Sequence, residues 1–111
     1  MGRGVRAYYS DANWDGAATL VRPGARPLVG YIFAHNENAS SRYLQVFNAA
    51  AVADVTLGTT EPVINAVITT DAQVTLDLDG VNFDLGLVIA STTTTRGATT
   101  GGAINIFIAL E

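Results

Sequence analysis

Hydrophobic and polar residues alternate most clearly in residues 42–49. Leu44 and Val46 fall on one side of an extended chain there, and Tyr43 and Phe47 fall on the other. Period-two alternation with aromatic and β-branched residues predicts a strand. Because both sides carry apolar groups, both faces of the strand should be covered. We therefore expect a central strand.

Similar alternation recurs at short intervals along the chain. Polar residues 36–41 predict a hairpin between the strands before and after them, and Asp79-Gly80 predicts another tight turn. Residues 49–56 predict an irregular crossover, because the apolar run is too short for a convincing helix. The predicted extended segments are residues 5–10, 17–22, 28–35, 42–49, 63–69, 73–79, 87–91 and 103–110.

About eight short strands at regular spacing predict an all-β fold, an antiparallel β-sandwich of the jelly-roll type with an extended N-terminal arm. Pro23 and Pro27 each lack an amide donor, so they should interrupt regular structure. We expect residues 1–26 to form the arm and residues 27–111 the β-sandwich body. A chain of 111 residues can bury one core of this size.

Charge is scarce and unevenly distributed. Only 14% of residues are charged and 49% are apolar, whereas soluble domains carry about 25% charged residues. The predicted arm has a net charge of +2 and the body one of −6. This favours head-to-tail contact between copies and surfaces covered by partners. An acidic chain with scattered arginines is a poor match for nucleic acid.

All six basic residues are arginine. Arginine is enriched in protein interfaces, although a GC-rich genome would have the same effect on composition. The chain has no cysteine, which excludes disulfides and thiolate metal sites. No signal peptide or membrane-spanning run is evident, so we expect a protein made in the cytoplasm with no membrane partner.

One motif suggests calcium. Residues 11–16 match the opening of a calcium loop, because Asp11, Asn13 and Asp15 place oxygen atoms at alternate positions. Arg22 stands where the loop needs a bidentate glutamate. Since Asp, Asn and Gly are also the residues that form turns, we expect an ordinary turn and no metal or other cofactor.

Catalytic chemistry has weak support in the sequence. Asp77 and Asp79 share one face of a predicted strand, with Asp84 nearby in sequence, and paired carboxylates can hydrolyse glycosidic bonds. No cluster of aromatic or basic residues marks a cleft beside them. His35 is the only histidine, and no nucleophile motif is present. We therefore expect a protein that is not an enzyme.

Three segments carry a resemblance to a known group: RYLQVFNA at residues 42–49, TLGTTEPV at 56–63, and VNFDLGLVIASTTTT at 81–95. Together with the final apolar strand, they resemble small virion-associated proteins of tailed bacteriophages. The resemblance covers about residues 30–110. It implies an all-β, multimeric capsid decoration (cement) protein located in the virion, whose partners are its own copies, for example in a trimer, and the major capsid protein.

The resemblance assigns no binding residue, so the candidate contacts come from the predicted arm. Trp14 fits equally well as an anchor in a neighbour's pocket or as part of a small core beneath the arm. The alternatives to a cement protein are a tail, baseplate or fibre component, a carbohydrate-binding sandwich, which would need an exposed aromatic platform, and an enzyme. The candidate interface residues are Arg3, Arg6, Tyr8, Tyr9, Trp14, Arg22 and Arg26.

Overall fold

Eight antiparallel strands form two four-stranded sheets that pack face to face. The computed structural model describes residues 7–23 and 28–111, and of residues 22 and 23 it describes the backbone alone. The first sheet has the strand order β1-β8-β3-β6 and the second has the order β2-β7-β4-β5. The strands are β1 (Ala7–Trp14), β2 (Thr19–Pro23), β3 (Leu28–Asn36), β4 (Arg42–Asn48), β5 (Ile64–Ile68), β6 (Gln73–Asn82), β7 (Gly86–Thr92) and β8 (Ile104–Leu110).

This arrangement confirms the predicted antiparallel β-sandwich of jelly-roll type. Consecutive strands lie in different sheets at every connection except the one between β4 and β5, so the sheets are interleaved along the chain. The connection between β4 and β5 contains a short 3-10 helix, Val52–Asp54. It is otherwise irregular, as predicted, but it joins neighbouring strands of one sheet and is therefore not a crossover.

The core consists of the inward-facing residues of both sheets. On β8 the inward set is Ile104, Ile106 and Ile108, and from β4 the same cluster receives Leu44 and Val46. All five are fully buried. Burial of aliphatic side chains at this density is the main force that holds the sheets together.

The outer side of the second sheet is also covered. Phe47, Val88 and Ala90 face away from the main core but are buried in a second cluster, against which Val55 and Leu57 of the β4–β5 connection pack. The prediction that residues 42–49 form a central strand with two covered faces is therefore confirmed.

The predicted hairpin between β3 and β4 is wrong, because these strands belong to different sheets. Asn36 is buried at this corner, and its side-chain amide donates hydrogen bonds of 2.9 Å to the carbonyls of Ser40 and Ile68. Packed sheets are only about 10 Å apart. A polar segment of this length can therefore cross between sheets as well as reverse within one.

The turn expected at Asp79-Gly80 is instead an irregularity within β6. Register shifts there, since Val81 pairs with Val29 but Asp77 pairs with Tyr31. Asp79 and Gly80 have φ values of 48° and 87°. A left-handed pair with extra residues on one strand is typical of a β-bulge, which uses the same residue types as a turn.

The part of residues 1–26 that the structure describes does not lie apart from the body as the expected arm would. Strand β1 pairs with β8 and strand β2 pairs with β7, so each sheet receives one strand from this segment. Trp14 is only 2% exposed and belongs to the main core. Residues 1–6 and 24–27 lie outside the description. The apolar residues of β1 and β2 therefore contribute to the core of the sandwich.

Trp14 allows a direct test, because it is the only tryptophan. Its indole nitrogen lies 3.2 Å from the Ala17 carbonyl oxygen and 3.2 Å from the Thr19 hydroxyl. We expect short-wavelength fluorescence emission and weak quenching by acrylamide in the native monomer, with both changing sharply on unfolding in urea. Strong quenching of the native monomer would contradict the burial.

Candidate functional site

Three aromatic side chains form a row on the outer face of the first sheet. The ring centroids of Tyr8 and Phe107 are 5.6 Å apart at 11° between planes, and those of Tyr31 and Phe107 are 5.8 Å apart at 24°. These residues belong to β1, β8 and β3. We call this row the aromatic file. It arises because alternate residues of β8 face the core, which turns Phe107 outward.

A shallow groove of about 280 Å³ adjoins the aromatic file. It is lined by Tyr31, Phe33, Phe107 and Thr75. The carboxylate-bearing residue Asp77 pairs directly with Tyr31 across β3 and β6, and it is exposed. The groove therefore combines aromatic walls with a hydroxyl group and a nearby carboxylate. Such a site can hold a small amphipathic group against a ring while its polar groups form hydrogen bonds.

The three carboxylates considered for catalysis do not all lie beside this groove. Asp77 and Asp79 lie on the outer side of β6, but Asp84 accepts a 2.7 Å hydrogen bond from the Asn48 amide beside the second sheet. His35 lies near two other acids, with its Nε2 3.4 Å from Asp71.

The carboxylates of the possible calcium loop hold backbone amides. Asp11 Oδ1 accepts a 3.0 Å hydrogen bond from the Asn13 amide, and Asp15 Oδ1 accepts one of 3.0 Å from the Ala17 amide. Within residues 7–23 and 28–111, no three His, Cys, Asp or Glu side chains are grouped so that they could hold a metal ion. The local hydrogen bonds are those of turns formed by Asp.

A different kind of site is present at the edge of the second sheet. Exposed sheet edges carry unpaired backbone groups, and proteins commonly protect them with charges, prolines or bulges. In the described structure, the edge strands β1, β6 and β2 contain Asp11, Asp77 and Asp79, and Arg22 with Pro23, respectively. Strand β5, which we call the β5 edge, contains only Ile64, Asn65, Ala66, Val67 and Ile68.

Exposed apolar side chains accompany the β5 edge. Val67 is 52% exposed, and Val63, immediately before the strand, is also largely exposed. Val63 and Leu85 line a groove of about 390 Å³ between the β4–β5 connection and the corner before β7. This groove also carries the acidic residues Asp54 and Glu61. The combination of an uncharged edge and exposed apolar groups is typical of a surface for protein association.

The structure distributes the predicted interface residues over very different environments. Tyr8 is 67% exposed and available for contact. Tyr9 is half-buried against the core and Trp14 lies within it, so burial removes Trp14 as an exposed anchor. The backbone of Arg22 pairs with Leu87, but its side chain is outside the description. The same holds for the whole of Arg3, Arg6 and Arg26.

Sequence reasoning missed the groove residues Tyr31, Phe33 and Phe107. Each one is an aromatic residue out of phase with the inward-facing residues of its strand. The alternation of inward and outward positions could therefore have identified these residues as outward-facing aromatics. What it could not supply was the strand order, which places β3 and β8 side by side.

No model of a protein family matches the chain, and no curated protein sequence matches it. Solved structures with a similar fold include PirA and the coat protein of Tobacco streak virus. PirA has a TM-score of 0.50 at 14% identity, with 94% of this chain and 93% of PirA covered. The coat protein of Tobacco streak virus has a TM-score of 0.48 at 11% identity, with coverages of 95% and 85%.

The likeness to PirA supports the sandwich fold, and it carries no information on function at this identity. The likeness to the coat protein is too distant to support an argument. In the described segments, no helix is long and apolar enough to cross a membrane.

Tyr9 provides a prediction on pH dependence. Burial, and then the negative charges of Asp11 and Asp15, raise the pKa of Tyr9 above its ordinary value of 10.0. The folded protein thus holds this proton more tightly than the unfolded chain does. The free energy of unfolding should therefore fall as the pH rises above 10.0 through the folded-state pKa. In Tyr9→Phe, urea unfolding should show a smaller fall over the same range, and an unchanged fall would contradict the assignment.

Proposed function

We propose that this protein is a structural component of a tailed-phage virion, a capsid cement or decoration protein that binds its own copies and the major capsid protein. The resemblance of residues 30–110 to virion-associated phage proteins supports the class. The single observation that supports an assembly role is the uncharged, apolar β5 edge. The role is mechanical, and no catalytic step is part of it.

The β5 edge suits pairing with a second copy. Two β5 strands related by a two-fold axis can align antiparallel, and their backbone groups then complete one another's ladders. The exposed side chains of Val63 and Val67 would be buried together, which adds hydrophobic stabilisation. This geometry gives a dimer. A trimer would instead need β5 to pair with a different surface of the next copy.

The contact with the shell is proposed for the N-terminal segment and the side chains next to it. The chain leading into β1 carries Arg3 and Arg6, and Tyr8 is exposed on β1 itself. Arginine and tyrosine are favoured in interfaces, because they combine apolar area with hydrogen-bonding groups. A copy that holds both a neighbour and the shell links adjacent capsid subunits. Each added contact then stabilises the assembled shell by mass action.

The proposed virion role is tested by measuring the amount of this protein in purified phage particles. Quantitative mass spectrometry should find this chain in near-stoichiometric proportion to the major capsid protein. A small minority share would place it in the tail or at a vertex. Complete absence from the particles would refute the virion role.

The β5 edge is tested by placing a charge on it. Val67→Lys should convert the oligomer into monomer in light scattering after size exclusion, because a desolvated lysine opposes strand pairing. Val81→Lys is a matched control, since Val81 is 42% exposed on the edge strand β6. If Val67→Lys assembles like the wild-type protein while both variants stay folded, the edge is not the contact.

A further inference from the structure

We propose that the groove beside the aromatic file is a binding site for an uncharged saccharide, with Tyr31 as the stacking residue. The site lies on the first sheet, away from the β5 edge on the second sheet. It does not depend on the virion role, because the isolated protein carries every residue that lines the groove.

The shape and chemistry of the groove suit a sugar ring. A pyranose has an apolar face of C–H groups and a rim of hydroxyls, so it needs an aromatic ring face beside polar groups. Tyr31, Phe33 and Phe107 supply the rings, and Thr75 supplies a hydroxyl. A volume of about 280 Å³ is suited to one sugar unit with bound water, and it is at the small end of ligand sites.

The stacking residue Tyr31 is held in place by neighbouring rings. Phe107 stands between Tyr8 and Tyr31, with both neighbouring rings nearly parallel to it. Tyr31 is 37% exposed, its ring stacks on that of Phe107, and it lines the groove. A ring that is fixed before binding loses little conformational entropy when the ligand stacks on it. Phe107 therefore both lines the groove and positions the ring of Tyr31.

Polar residues lie beside the groove and in the row beyond it. Register places Asp77 beside Tyr31 and Thr75 beside Phe33, and in the row beyond Phe33 it places Gln73 and Asn105 on either side of His35. Carboxylate and amide groups in such positions accept and donate hydrogen bonds to several hydroxyls at once.

The charge of the surface around the groove favours neutral saccharides over acidic ones. The arginines with described side chains lie elsewhere: Arg42 belongs to β4 of the second sheet, and Arg96 forms an ion pair with Glu61. The fixed charges facing the outer side of β6 are Asp77 and Asp79. This acidic surface should repel uronates and other acidic sugars and accept neutral hexoses or N-acetylhexosamines.

The test is calorimetric titration of the full chain with a set of soluble oligosaccharides. The neutral probes are cello-, malto-, manno- and N-acetyl-chito-oligosaccharides, and the acidic probe is an oligogalacturonate. We expect at least one neutral probe to bind, and the acidic probe to bind much more weakly. Binding of none of the neutral probes, or stronger binding of the acidic one, would overturn the proposal.

Two tyrosine variants locate the site. Tyr31→Ala should weaken binding of the neutral probe roughly tenfold or more, because ring contact is lost, whereas Tyr31→Phe should keep most of the affinity. Tyr8→Ala is the comparison variant: it removes the outermost ring of the aromatic file but no residue that lines the groove, so it should lose much less affinity than Tyr31→Ala. Equal losses in Tyr8→Ala and Tyr31→Ala, or no loss in Tyr31→Ala, would overturn the assignment.

The competing explanation is that a protein docks on the same face, and the same variants distinguish this explanation from saccharide binding. If Tyr31→Ala releases the protein from particles while no saccharide binds the wild-type chain, the face is a protein contact and the saccharide site is refuted. Thermal unfolding of each variant checks that the sandwich is intact.

Discussion

The structure depends on the burial of the inward face of β8 between the two sheets. Ile104, Ile106 and Ile108 occupy the same cluster as Leu44 and Val46 of the opposite sheet. Strand β8 also lies between β1 and β3, so it supplies the backbone ladder for the first strand of the chain. The first and the last of the described strands are therefore held in one sheet. Such pairings close long loops, and they make folding a non-local process.

The outer faces of the two sheets differ in how far they are covered. Loops cover the outer side of the second sheet, where Phe47 and Val88 are fully buried, whereas the outer side of the first sheet exposes Tyr8 and Tyr31. Aromatic residues on an open sheet face need a reason, because water-exposed rings contribute little to stability. The β5 edge is on the other sheet. Ligand binding on the aromatic face and assembly through the edge can therefore occur in the same molecule.

Most strand positions could be predicted, because alternation is a local property. Residues 73–79 and 103–110 alternate strictly, and both form strands where expected. The errors concern partners and not elements. Asn36 turns the chain toward the second sheet, and Asp79 introduces a bulge within a strand. Both features use residues that also form hairpin turns, so composition could not separate the alternatives. The environment of Trp14 could not be predicted for a different reason: the residue that it pairs with, Ile104, is about ninety residues away in sequence.

By itself, the sequence determined the class of the fold, the number of strands and which side of most strands is apolar. These properties follow from side-chain period and turn chemistry, which act over a few residues. Tertiary structure alone decided which strands are neighbours. That choice brought Tyr8, Phe107 and Tyr31 from three separate strands into one row and left β5 at an edge. The physical reason is that strand order depends on burying both sheets at once, a condition that no local segment can express.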